Sequence, residues 1–151
     1  MQLSGTYAFN APIDRVWTLL NDPDVIAACL PGCDQLEPLG DDRYRASLSM
    51  AVAAISGQYS GTVALRDKQP PRSYRLLVDG SGKAGFVKGE ATVTLAEPSD
   101  APGTTMVTVS GDGQVGGLMA RVGQRLLGSV SQMMLDRFFA DLRAKAEVRS
   151  V

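Results

Sequence analysis

Three groups of residues have types and spacings that could do chemistry. Gly80-Ser81-Gly82-Lys83-Ala84-Gly85 satisfies G-x-G-x-x-G, the pattern that cradles a dinucleotide pyrophosphate. That use needs a strand before it and a helix after it, because the helix N-terminus holds the anion. A strand-like run from Tyr74 to Asp79 does precede it, but Phe86 to Leu95 alternates as another strand, so the segment reads as a hairpin turn. Cys29 and Cys33 flank Pro31-Gly32 as a lone C-x-x-x-C pair, where metal sites usually have a second pair or histidine partners. Cys29 falls on the apolar side of a short helix and reads as a buried thiol. Asp14, Asp22, Asp24 and Asp34 cluster in sequence, but two of them lie in first helical turns, where capping and the helix dipole account for them. Nothing in the pattern favours a paired-carboxylate acid/base site, and no Ser, Tyr or Lys sits in an activating motif. The chain has no histidine. That removes the commonest general base and the commonest metal ligand, so histidine triads and the usual catalytic zinc sites are excluded, and no catalytic residue and no metal ligand is assigned.

One stretch raises a different question. Gly116 to Gly128, GGLMARVGQRLLG, reads as the start of the longest helix, yet four of its thirteen residues are glycine. Each glycine inside a helix costs roughly 0.5–1 kcal/mol relative to alanine. At 100° per residue, Gly116, Ala120, Gly123, Leu127 and Met134 share one stripe, flanked by Met119, Val122, Leu126, Val130 and Met133. Arg121, Arg125, Gln132, Asp136 and Arg143 lie opposite, on the solvent face.

The elements that would position this stripe follow from periodicity. Leu3, Gly5, Tyr7 and Phe9 alternate with polar residues as a half-buried strand. Two short helices come next, the first with Pro12, Asp14 and the apolar face Ile13, Val16, Trp17 and Leu20. The second is capped by Asn21 or Asp22, has Pro23 near N1, and stops at Pro31-Gly32. From Cys33 to Gly113 the chain reads almost wholly as strands. They are punctuated at Gly40-Asp41-Asp42, Pro70-Pro71, Gly80-Ser81-Gly82 and Pro98 to Gly103, which argues for an antiparallel meander. One helix runs from about Val115 to about Val148. On the inferred inward strand faces, Gly5, Gly61, Gly89 and Gly111 interrupt larger residues. Two readings stay open: close helix-on-sheet packing over a bent sheet, or an internal apolar cavity.

With 151 residues, ordinary apolar content, a formal net charge of −1 and scattered basic residues, the chain reads as a single domain spanning 1–151, with no nucleic-acid partner. Met1 to Asn10 has neither the basic nor the apolar region of a signal peptide, and no apolar run reaches membrane-spanning length. Two cysteines without an export signal point to the cytoplasm and free thiols.

The order of elements, with Phe9, Pro12, Val16, Trp17, Asp22, Pro23 and Cys29-Leu30-Pro31-Gly32, resembles the α+β helix-grip fold of the START-like/birch-pollen-allergen (SRPBCC) superfamily. Tyr59 with Gly61, Gly80, and Gly116 to Leu126 carry the closer resemblance, to the family of the carbon monoxide dehydrogenase G-subunit. The resemblance spans essentially the whole chain. It implies a curved antiparallel sheet of about six to seven strands around a long C-terminal helix, with two short helices after strand 1. It also implies a deep apolar cavity between helix and sheet. The ligand would be a hydrophobic small molecule such as a quinone or lipid, with no intrinsic cofactor. The partner would be a molybdenum hydroxylase of the carbon monoxide or xanthine dehydrogenase type, which the protein links to the membrane electron-transport chain. Many members carry an extension beyond the grip helix with a proposed membrane contact. This sequence stops at Val151, so the expectation is indirect membrane association, at the inner membrane face of the cytoplasm.

On that basis Gly116, Gly117, Ala120 and Gly123 would form the mouth or wall of the cavity. Trp17, Leu20, Ile26, Leu30, Leu48, Met50, Tyr59, Leu127, Val130 and Met134 would supply its apolar surface, with Tyr59 as a donor to a ligand carbonyl. The leading expectation is a non-catalytic carrier. The alternatives are an assembly factor for the hydroxylase without ligand, and a polyketide-cyclase-like enzyme. Leu135, Phe138, Phe139 and Leu142 spread apolar surface beyond the stripe, as a partner site, a homodimer contact or, the reading preferred, packing against the two short helices.

Overall fold

β1 (Gln2–Phe9) alternates exposed Gln2, Ser4, Thr6 and Ala8 with inward Leu3, Gly5, Tyr7 and Phe9. The computed structural model describes residues 1–52 and 55–147. α1 (Ile13–Leu20) buries Val16 and Leu20, and Asp14 in its first turn complements the helix dipole. α2 (Pro23–Cys29) is capped by Asp22, whose carboxylate accepts from the Asp24 amide at 2.9 Å. A meander follows: β2 (Cys33–Gly40), β3 (Arg43–Met50), β4 (Gly57–Gln69), β5 (Ser73–Gly82), β6 (Gly85–Ala96) and β7 (Thr105–Gly116). A 3-10 turn (Gly117–Arg121) then leads into α3 (Gln124–Ala146).

All seven strands form one antiparallel sheet in the order β1-β7-β6-β5-β4-β3-β2. Each hairpin pairs sequence neighbours, and β1 closes the sheet beside β7. One face carries Arg43, Arg45, Arg75, Lys88, Glu90 and Thr92 into solvent. The other is covered by α3, which packs on β1, α1 and α2. Between them lies the core, where Phe9, Val16, Val107, Phe139 and Leu142 are each at most 3 % exposed. Burying side chains of this size stabilises by about 1.5–3 kcal/mol each. Arg15 of α1 donates to the carbonyls of Ala146 and Lys145 at 2.7 and 3.0 Å, satisfying the free end of α3 with a cation.

Phe139 and Leu142 are thus core residues, with Leu135 and Phe138 packed against the same core, which agrees with packing on the short helices. Two local expectations need correction. Gly80-Ser81-Gly82 is not a turn: β5 runs through Gly82, and the reversal falls on Lys83-Ala84. The helix does not begin near Val115, because β6 pairs with β7 as far as Gly116 and the helix proper opens at Gln124. Its expected end near Val148 lies outside the described residues.

Candidate functional site

The glycines of Gly116 to Gly128 are mostly not helical. Gly116 is extended strand, with the Phe86 ring lying over it on the outer face of the sheet. Gly117 and Gly123 take φ of +73° and +95°, values that an L side chain rarely adopts, and they bracket the 3-10 turn. Only Gly128 stands inside α3. Backbone conformation selects glycine at Gly123, where a Cβ would meet nothing within 4 Å; at Gly117 close approach adds to it, since a Cβ there would sit 2.8 Å from the Gly85 Cα.

The small residues that matter lie on the sheet. Gly5 on β1, Gly111 and Gly113 on β7, Gly89 on β6, Gly80 and Gly82 on β5 and Gly61 on β4 follow one another across the inner face. The register pairs Gly61 with Gly80 and Gly89 with Gly113. This band separates two apolar clusters. The larger one holds Phe9, Val16, Leu20, Tyr44, Tyr74, Val107, Phe139 and Leu142, with Trp17 packed edge-on to Tyr74 at 5.6 Å between centroids. The smaller one holds Ile55, Met119, Leu127 and Val130, bordered by Met1, Met50, Tyr59, Val87, Val115 and Met134. Leu48 and Val78 point inward near the band, belong to neither cluster and keep solvent contact. Over this band Gly80 and Gly113 leave room, whereas the Tyr7 ring lies over Gly5, the Tyr59 ring over Gly82, and the neighbouring strands approach closely at Gly61 and Gly111.

The structure brings together Met50, Tyr59, Leu127, Val130 and Met134 in the smaller cluster, and it sets Trp17 and Leu20 in the larger one. Ile26, Leu30 and Leu48 are half-buried and join neither. Gly116 faces outward, and Gly117, Ala120 and Gly123 are exposed, so these four stand outside the set. Met133, expected on the covered side, is 39 % exposed. The Tyr59 hydroxyl donates to the Ile55 carbonyl at 2.6 Å and is already engaged. Sequence reading placed Met119 on the covered side, as found, but missed Ile55 in the smaller cluster, and Gly80, Gly82 and Gly113 in the band. The last three would have been legible from strand parity had β5 and β7 been carried far enough.

Chemically the inner face is quiet. Burial pushes the Tyr59 and Tyr74 hydroxyls above their ordinary range, so they remain protonated donors. The Cys29 thiol is also raised by burial, with Lys145 opposing, and is held away from the reactive thiolate form. Two open grooves, of about 430 and 630 Å³, lie across the strands on the far side of the sheet from α3 and are bordered by such residues as Asp79, Lys88, Glu90, Thr92 and Asp112. Their borders mix polar and apolar residues on the outer face, and neither is the cavity expected between helix and sheet. Among the described residues, no helix is long and apolar enough to cross a membrane.

The family model for the carbon monoxide dehydrogenase G-subunit, CoxG, matches residues 5–147. A conserved protein from Geobacillus kaustophilus is 34% identical, with a TM-score of 0.91 over 97% of this chain and 95% of its own. A START superfamily protein from Mycobacterium smegmatis shares the fold at 14% identity and a TM-score of 0.76, covering 97% of each chain. An aromatase/cyclase, Zhui, from Streptomyces sp. R1128 does so at 18% identity and a TM-score of 0.71, over 97% of this chain and 93% of that one. The two distant likenesses establish the START-like fold. Among curated proteins no match is found.

Proposed function

We propose, from the premise that the chain belongs to the CoxG family, that of the carbon monoxide dehydrogenase G-subunit, that it is a non-catalytic accessory protein that holds an apolar molecule between sheet and α3. The observation that carries this reading is the glycine band. It thins the inner face between two apolar clusters, with room at Gly80 and Gly113 and with Leu48 and Val78 accessible at its edge. A concave apolar surface with few polar groups suits a flat or elongated lipophile. A quinone or a lipid has that shape and polarity. The Met-rich end of the site, with Met1, Met50, Met119 and Met134, adapts to an irregular ligand better than branched side chains would. The partner is a molybdenum hydroxylase of the carbon monoxide or xanthine dehydrogenase type, which the carrier links to the membrane electron-transport chain.

An enzymatic reading has less support. Among the described residues the inner face presents phenols held protonated, with neither an activated nucleophile nor an acid/base pair beside them. The test is mass spectrometry of the gently purified protein, native and after organic extraction, before and after incubation with decylubiquinone. Stoichiometric lipid or quinone is expected. A protein that stays empty after incubation would overturn the carrier reading.

A further inference from the structure

Phe86 and Leu118 are 48 % and 56 % exposed, the two most exposed large apolar side chains among the described residues. They stand at one end of the molecule. The Met119 amide donates to the Ala84 carbonyl at 2.6 Å, joining the 3-10 turn to the β5–β6 reversal, and the Phe86 ring lies over Gly116. The smaller apolar cluster sits directly behind, through Met119 and Val87.

Charge is segregated at this end. Gly80 to Val87 contains Lys83, and Gly113 to Leu135 contains Arg121 and Arg125, while Lys88 lies farther back, in the groove beside Asp79, Glu90 and Asp112. Met50 to Gly61 has no charged residue, and none of the three segments has an Asp or Glu, in a chain whose 16 acidic residues leave its net charge at −1. Among the described residues none of Lys83, Arg121 and Arg125 is in an ion pair. Arg125 even occupies the first turn of α3, where no acidic residue balances it and a cation opposes the helix dipole. Stability does not explain that placement. Aromatic and aliphatic side chains projecting from a patch of one sign match an anionic bilayer surface, where the apolar groups enter the headgroup region and the cations remain at the phosphates.

We infer that the β5–β6 reversal and the 3-10 turn form a docking surface for anionic lipid bilayers, with Phe86 and Leu118 inserted and Lys83, Arg121 and Arg125 at the phosphates. This deepens the carrier reading by naming the face turned toward the lipid. Its test needs no interior ligand, so either can fail without the other. The full chain is floated with vesicles of phosphatidylcholine alone or mixed with phosphatidylglycerol, at low and high salt. Binding only to the mixed vesicles, weakened by salt, is expected. The paired changes Phe86→Ser with Leu118→Ser, and Lys83→Glu with Arg121→Glu, should each weaken binding roughly tenfold or more, whereas Leu39→Ser on the distant edge strand should not. Phe86→Trp supplies a second readout that keeps the surface intact: its emission should shift to the blue on mixed vesicles. The inference is overturned by a wild-type chain that ignores anionic vesicles, by paired variants that bind as wild type does, or by an unshifted Phe86→Trp. Loss of binding to a purified hydroxylase in these variants, with no vesicle binding by the wild type, would assign the patch to protein instead.

Discussion

The Tyr7 ring lies flat on that of Phe139, with centroids 4.2 Å apart and planes within 11°. Phe139 also meets Phe9 and Phe138 edge-on, so one residue of α3 ties the helix to the β1 edge of the sheet. Phe139→Ala should therefore cost about 3–5 kcal/mol, through lost burial and the cavity left behind. Thermal unfolding should show a fall on the order of 10 °C. Tyr7→Phe keeps the stack and should cost about 1 kcal/mol or less. Similar losses for both variants would mean that the hydroxyl, not the ring, holds β1 to the helix.

That hydroxyl donates to the Asp136 carboxylate at 2.7 Å, and the Gln132 amide donates to the same oxygen at 2.9 Å. Both favour the charged form, first Tyr7 and then Gln132, and hold Asp136 below its ordinary 3.8. The unfolded chain then takes up this proton more readily than the folded one. The stabilisation is complete above the ordinary value and disappears as pH falls below it through the depressed native value. The melting difference between wild type and Asp136→Asn should stay level from neutral pH to about pH 5 and shrink below that. A difference unchanged down to about pH 2 would show that Asp136 does not act through its charge.

The meander was legible because polar and apolar residues alternate cleanly from β3 to β7, and turn residues interrupt them. The second short helix carried its cap in Asp22 with Pro23 behind it, and the first was marked by Pro12 and Asp14. What periodicity misread was the junction before α3. A stripe at 100° per residue can be drawn through any segment of small and apolar residues, including an extended one. Gly116, Gly117, Ala120 and Gly123 fell on such a stripe although Gly116 is strand and Gly123 is the residue before the helix. The band across the sheet was partly visible at Gly5, Gly61, Gly89 and Gly111. Its continuity requires the register that sets Gly80 opposite Gly61 and Gly113 opposite Gly89, and pairing between strands is not written in either strand alone.

The two kinds of glycine at that junction separate by substitution. Gly128 is inside α3, and a Cβ there would meet nothing within 4 Å. Gly128→Ala should stabilise by about 0.5–1 kcal/mol through helix propensity. Gly123 has equal room but a φ of +95°, so Gly123→Ala should destabilise by about 1–3 kcal/mol. Denaturant titration gives both values. Gains at both positions would remove the backbone argument for Gly123.

The site itself is best probed where a side chain would fill it. A Cβ on Gly80 would make only an ordinary contact, 3.6 Å from the Ser60 carbonyl oxygen, so the sheet tolerates a larger residue there. Gly80→Leu should occupy the band between the two clusters and weaken decylubiquinone capture about tenfold or more, given that one well-placed apolar side chain carries a few kcal/mol in such a pocket. Ala120→Leu adds the same bulk on the exposed 3-10 turn, outside the band, and should leave capture unchanged. The two variants, measured side by side with circular dichroism as the check on folding, decide between the two candidate walls. Loss of capture in Ala120→Leu alone would return the ligand to the stripe before α3 and leave the glycine band as a device for bending the sheet.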